Sequence, residues 1–255
     1  MDGERNMKKA KKKGELFDIN KLPAKEGILF FGVSIGNIDK AQSAKKCFEY
    51  IDKNLIKKIQ KPIVGANFVY GDNLYLYSNE KSSKLKNKHQ ILVERHKNSM
   101  LNMLNKNKWY IQKSFSFITW NQMLLECRNF NVYFDKIKKL YKEDKEFKKY
   151  VKEDIKNSGR KFNQNNAMFI VEESLIFYLV IKGKVRLFNE YVQDKQKWIL
   201  NCYPGKPLYT EIYISQKNPL NLSNPKNKYE DSFYDLEERK LYNFKEIDLE
   251  SIKLK

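Results

Sequence analysis

Gly27-Ile-Leu-Phe-Phe-Gly-Val33 is an unbroken apolar run. A run this short, without alternation, reads as a strand buried on both faces of a parallel sheet. It stops at Ser34-Ile35-Gly36-Asn37, which reads as a turn. Beyond it Ala44, Cys47, Phe48, Ile51, Leu55, Ile56 and Ile59 recur at helical spacing, so 42–59 is expected to be a helix. Residues 62–70 read as the next strand, 79–106 as a long helix, and 109–118, which alternates, as a third strand. Residues 120–156 read as two helices, the second rich in Lys and Glu. An apolar helix follows over 163–182, with Asn163 as its candidate N-cap. Residues 185–190 and 208–214 read as late strands, and 216–255 are polar with weak pattern. Strands alternating with long helices predict a doubly wound, mainly parallel α/β sheet flanked by helices. The expected organisation is a flexible basic lead over 1–26, one domain over 27–215, and a C-terminal extension over 216–255 packed on that domain.

Composition adds a charge question. The chain has 255 residues, 50 Lys or Arg against 31 Asp or Glu, and a net charge of +19. Aromatic residues make up 14%, which is too many for a disordered basic chain. Two accounts compete for the charge: a polyanionic partner, or compositional drift that raises Lys, Asn, Ile and Tyr together. Distribution separates them. Between Lys81 and Lys108 there are eight basic residues, and Glu94 is the one acid. General Lys enrichment would not also remove acids, so this helix reads as a surface that tracks phosphates. Between Asp135 and Lys161 eleven basic residues face six acids, the pattern of a solvated helix with i,i+4 pairs.

The counts also exclude chemistry. Cys47, Cys127 and Cys202 stand far apart with no CxxC, against a structural zinc site or a disulfide framework. His89 and His96, the two histidines, sit seven apart in the Lys-rich stretch and read as part of a helix surface rather than as catalytic bases. There is no HExxH, no Walker loop and no GxGxxG. No metal and no cofactor is expected. The longest apolar run is too short to span a bilayer, and the polar, basic start does not read as a secretory signal, so a cytoplasmic monomer is expected.

Three segments carry candidate chemistry. Ser34 follows the first strand directly, between Gly32 and Gly36-Asn37, and ligands bind at the carboxyl ends of strands in such sheets. A serine there is placed as a nucleophile or as a hydrogen bonder at a helix start. Glu172 and Glu173 interrupt an apolar helix. Adjacent residues point about 100° apart. Glu173, four residues from both Phe169 and Phe177, lies on an apolar face, and a carboxylate there wants a cationic or hydrogen-bonding partner. Both acids at the water edge is the plainer alternative. Tyr203, before Pro204, is held extended in a loop. Tyr209 and Tyr213 read as packing.

Together these segments resemble the tRNA-dependent cyclodipeptide synthases. Gly32-Val33-Ser34-Ile35-Gly36-Asn37 looks like the family's nucleophile turn, Phe169-Ile-Val-Glu-Glu173 resembles its Tyr-x-x-x-Glu helix, and Cys202-Tyr203-Pro204 resembles the loop of its Tyr-Pro branch. The basic helix falls where the family binds tRNA. The resemblance spans about residues 27–215, and it implies a Rossmann-like catalytic domain similar to those of tyrosyl- and tryptophanyl-tRNA synthetases. The implied reaction is ping-pong. Ser34 attacks an aminoacyl-tRNA to give an aminoacyl-enzyme, a second aminoacyl-tRNA extends it to a dipeptidyl-enzyme, and cyclisation releases a cyclic dipeptide. Two aminoacyl-tRNAs are the implied partners in each turnover. The resemblance implies that Glu173 binds the α-amino group and shuttles its proton, that Tyr203 assists cyclisation, and that Asn37 orients the first aminoacyl group. It further places Gly32, Phe30, Gly65, Phe169, Glu172 and Pro204 at the substrate, and Lys81, Lys84, Lys88, Arg95 and Lys97 on tRNA. Phe169 stands where the family has Tyr, so the hydroxyl that would meet the substrate amine is absent. The rival reading is a non-catalytic RNA-binding module that uses the same helix.

Overall fold

In the computed structural model of the chain, residues 26–52, 63–72, 83–107, 113–223 and 231–251 are described. Strand β1 (Glu26–Val33) leads into a 3-10 turn (Ile35–Asn37) and helix α1 (Ala44–Ile51). Strand β2 (Ile63–Tyr70), the long helix α2 (Ser83–Lys106) and strand β3 (Ser114–Thr119) follow. Four helices come next: α3 (Trp120–Leu125), α4 (Phe130–Glu143), α5 (Lys145–Asn157) and α6 (Gln164–Ile181). Then come α7 (Asn189–Gln193), β4 (Lys197–Tyr203), α8 (Tyr209–Lys217) and the strands β5 (Ser232–Asp235) and β6 (Lys240–Asn243).

The six strands form one sheet in the order β3-β2-β1-β4-β5-β6. All neighbours run parallel except β5 and β6. The first five strands thus follow the 3-2-1-4-5 order of a Rossmann-like, doubly wound sheet. Alternation along β1 feeds two cores. Ile28 and Phe30 face α4, α5, α6 and α8, whereas Leu29, Phe31 and Val33 face α1 and α2. Strand β1 is therefore apolar without a break because both of its faces are covered.

Several expectations need correction. Residues 185–190 are not a strand but a 3-10 turn (Arg186–Phe188) running into α7. The central strand lies later: Trp198-Ile199-Leu200 is its buried middle, and Asn201–Tyr203, expected in a loop, is its carboxyl end. Residues 209–214 are helical, not a strand, with Asp154 accepting from the N–H groups of Tyr209 and Thr210 (both 2.9 Å) and so satisfying the first turn of α8. Thr210 to Ser215 are all buried, so no polar face exposed the helical period. Asn163 caps α6 as expected, accepting from Asn166 N–H at 2.8 Å. The predicted segments 53–59, 79–82 and 109–112, and the basic lead up to residue 25, lie outside the described residues.

Candidate active site

The chain leaves β1 towards β2 and later crosses back to β4 on the other side of β1. The crevice between the carboxyl ends of β1 and β4 is the topological switch point, where doubly wound sheets bind ligands. Ser34 follows β1 directly and Tyr203 ends β4, so the fold brings both to this crevice. Helix α6 lies across it and supplies Phe169, Glu173 and Phe177.

Ser34 is extended (φ −79°, ψ 128°) and precedes the 3-10 turn, but its hydroxyl does not cap that turn. The buried side chain of Gln42 straps the turn instead. Its Oε1 accepts from Ser34 N–H at 2.8 Å, and its Nε2 donates to Gly32 C=O at 2.7 Å. The Gln42 carbonyl in turn meets His96 Nε2 at 3.0 Å, and His96 Nδ1 meets the Tyr70 hydroxyl at 2.9 Å. His89 and His96 are therefore buried rather than on the helix surface, turned from α2 towards the sheet. Asn37 Nδ2 donates to the Tyr203 hydroxyl at 3.4 Å, linking the two sides of the crevice.

Glu173 is half-buried and lines the crevice with Ser34 and Tyr203. Desolvation pushes its carboxyl up to about 7. Arg160 pulls it down, whereas Asp154 and Glu172 push it further up. The Arg160 guanidinium stacks over the face of the Phe169 ring, 4.0 Å from its centre. Glu211 lines the open side of the same crevice. Burial and the charge of Glu173 raise its carboxyl to about 8, against a 2.7 Å hydrogen bond from Asn201 Nδ2. Asp154, raised to about 6 by burial, is held down by its three bonds from Tyr209 and Thr210.

The remaining expected residues fall elsewhere. Glu172 is fully buried behind the crevice, where it accepts from the Trp120 indole N–H at 2.6 Å. Phe30 is a second layer, edge-on to Phe177 with ring centres 5.4 Å apart. Gly65 stands near the amino end of β2, beside Ile28 and Ser114 and far along the strand from Ser34. A Cβ there would lie 1.6 Å from the Ser114 carbonyl, so this glycine serves strand packing. Val69 and Gly71, at the other end of β2, border the crevice instead. Pro204 is buried in the turn after β4, next to Gly205 (φ 128°), whose N–H donates to Asp235. Lys88 and Arg95 are exposed on α2, but Arg95 pairs at 2.5 Å with Asp39 of the serine turn, and Lys97 lies 3.9 Å from Glu94. Lys81 and the side chain of Lys84 lie outside the described residues.

Trp120, Arg160, Phe177 and Glu211 went unrecognised as crevice residues in the sequence, and so did Gln42 as the strap behind the serine turn. Glu211 had the clearest signal: an acid inside an apolar stretch, as Glu173 is. Asp154 was masked by the charged neighbours of its helix.

Fold and crevice together define a Rossmann-like α/β protein with a serine and a high-pKa carboxylate at its switch point. No family model and no curated protein matches the sequence. Solved structures do match in fold, cyclodipeptide synthases among them. That of Fluoribacter dumoffii has 11% identity and a TM-score of 0.51, covering 80% of this chain and 88% of that one. That of Candidatus Glomeribacter gigasporarum, bound to Phe-tRNAPhe, has 15% identity and a TM-score of 0.50, covering 81% and 88%. That of Staphylococcus haemolyticus has 12% identity and a TM-score of 0.50, covering 80% and 88%. Among the described residues no helix is long and apolar enough to cross a membrane.

Proposed function

We propose that this chain is a tRNA-dependent cyclodipeptide synthase of the Tyr-Pro branch, an aminoacyltransferase working through acyl-serine intermediates. The observation that carries the reading is the convergence of Ser34, Glu173 and Tyr203 on one crevice at the switch point. The shared fold supports it.

The Ser34 hydroxyl attacks the ester carbonyl of the first aminoacyl-tRNA. The Oγ–acyl bond forms, the bond to the tRNA ribose breaks, and the proton ends on the freed ribose hydroxyl. The substrate is already an activated ester, so the step proceeds without a histidine base. The seryl-bound amine then attacks the ester of the second aminoacyl-tRNA. It must be this amine, because the reverse attack would leave the dipeptide on tRNA instead of on Ser34. Glu173 holds the ammonium and takes its proton, a task suited to a carboxyl poised near 7. Finally the new terminal amine attacks the seryl ester, releasing the cyclic dipeptide and restoring Ser34. Tyr203, tied to Asn37, stands beside the serine to relay the proton. Exposed bases on α2, Lys88 among them, dock the tRNA backbone.

Expression in bacteria with mass spectrometry of the medium tests the reading. A cyclic dipeptide is expected, and it should vanish in Ser34→Ala. Equal signals from both would leave the RNA-binding module as the better reading.

A further inference from the structure

Ser34 borders two recesses among the described residues, and they differ greatly in size. The outer one is an open cleft of about 790 Å³, bordered by Arg160, Tyr209 and Glu211. The inner one, between the carboxyl ends of β1 and β2, measures about 20 Å³. Gly32, Val69, Gly71, Trp120, Phe169 and Phe177 line it, with Glu173 and Tyr203 on the side of Ser34. A space of 10–15 Å³ on this measure holds roughly one water molecule. The inner recess therefore takes a group of methyl size.

Its walls are held in place. Trp120 is 2% exposed and tied at both ends, its indole N–H to Glu172 (2.6 Å) and its backbone N–H to Asp72 (2.8 Å). Phe177 stands edge-on to Phe30, which is itself edge-on to Phe188 at 5.3 Å. Gly32 faces the recess with no side chain, and a Cβ there would come within 3.4 Å of the Tyr203 ring and 3.5 Å of the Phe177 ring.

Chemistry decides which substrate meets this recess. The residue on Ser34 must stay while one tRNA leaves and another enters from the open side, so its side chain points inward. We propose that the aminoacyl group accepted by Ser34 is small and apolar, alanyl or glycyl, and that the larger partner of the cyclic dipeptide lies in the outer cleft. This inference rests on the synthase reading above. The transfer forms the Oγ–acyl bond and breaks the ester bond to tRNA, with the serine proton passing to the ribose hydroxyl.

The test is to mix the purified full-length chain separately with alanyl-, glycyl-, leucyl- and phenylalanyl-tRNA, and to follow acylation of Ser34 by intact mass. Alanyl and glycyl adducts are expected to form at least about tenfold faster than leucyl and phenylalanyl adducts, since even one misfitting methylene costs this much. Phe177→Ala should admit the leucyl group, and Gly32→Ala should slow the alanyl adduct while sparing the glycyl one. If Phe177→Ala fails to fold by circular dichroism, Phe177→Leu makes the same comparison. Leucyl or phenylalanyl adducts as fast as alanyl on the unaltered chain would overturn the size inference alone. No adduct from any of the four would overturn this inference, and the absence of any cyclic dipeptide from the expressing bacteria would overturn the synthase reading with it.

Discussion

At the scale of single residues, the serine depends on an amide eight positions away. Gln42 holds Ser34 N–H and Gly32 C=O at once, so it sets where the Oγ stands. Gln42→Met keeps the length and loses both bonds. Displacing a reacting atom by an ångström costs up to about a hundredfold in rate, so kcat should fall roughly 10- to 100-fold. KM for aminoacyl-tRNA should stay within about twofold, because the proposed tRNA surface on α2 is left intact. Gln42→Glu keeps the acceptor for Ser34 N–H but sets an oxygen against the Gly32 carbonyl, so it should recover little of the rate, and a change in KM alone would refute the positioning role. Glu173 governs pH dependence. Under the proposed mechanism its carboxylate takes the ammonium proton, so the rate should rise as pH passes through about 7. Arg160 lowers the pKa of Glu173, so Arg160→Ala should shift this rising limb to higher pH. A pH–rate profile that stays in place would remove Arg160 from the site.

At the scale of elements, the buried start of α8 depends on a carboxylate from α5. Asp154 accepts from two backbone N–H groups and the Thr210 hydroxyl, and removing it leaves these groups buried without that partner. Asp154→Ala should destabilise the fold by roughly 2–4 kcal/mol in a denaturant titration, more than an exposed cap would. Glu211, on α8 itself, ties stability to pH. Its pKa is raised from the ordinary 4.5 to about 8 on folding. Between those values the folded chain holds a proton that the unfolded chain has released, so stability falls as pH rises across the window. Glu211→Gln should flatten that decline while keeping an acceptor for Asn201. These two acids also mark where the sequence became hard to read. Strand β1, the serine turn and the Asn163 cap were legible because each has a local signature: an apolar run, a Gly-Asn pair shortly after it, and a side chain bonded to its own turn. Helix α8 was not, since its cap lies 55 residues away and burial on all sides erased its period. Strand β4 was missed for a related reason, its buried middle being short and its end sharing a segment with the loop at Pro204. The crevice was half legible: Ser34, Glu173 and Tyr203 stand in recognisable surroundings, but the residues that shape the space around them meet only through tertiary folding.

At the scale of the whole molecule, the charge of +19 is not one feature. The mixed helices α4 and α5 offset part of their charge internally, for instance through Lys138 with Asp135. Helix α2 offsets little, and the fold ties it to the serine turn twice: Arg95 pairs with Asp39, and His96 meets the Gln42 carbonyl. Under the proposed reading Arg95 has two claims on it, a tRNA phosphate from outside and Asp39 from within, whereas Lys88 is exposed. This separates their expected effects. Lys88→Ala should remove one phosphate contact, lowering the slope of log affinity against log salt by about 0.7–0.9 and leaving the acylation rate of bound aminoacyl-tRNA unchanged. Arg95→Ala should lower the slope by a similar amount and also slow acylation, because it releases the turn that carries Ser34. Filter binding across a salt series, paired with single-turnover acylation, reads both effects. If Arg95→Ala moves only the slope, the ion pair with Asp39 is incidental to the serine. If neither variant moves the slope, α2 does not face the tRNA, and the charge excess belongs to another surface.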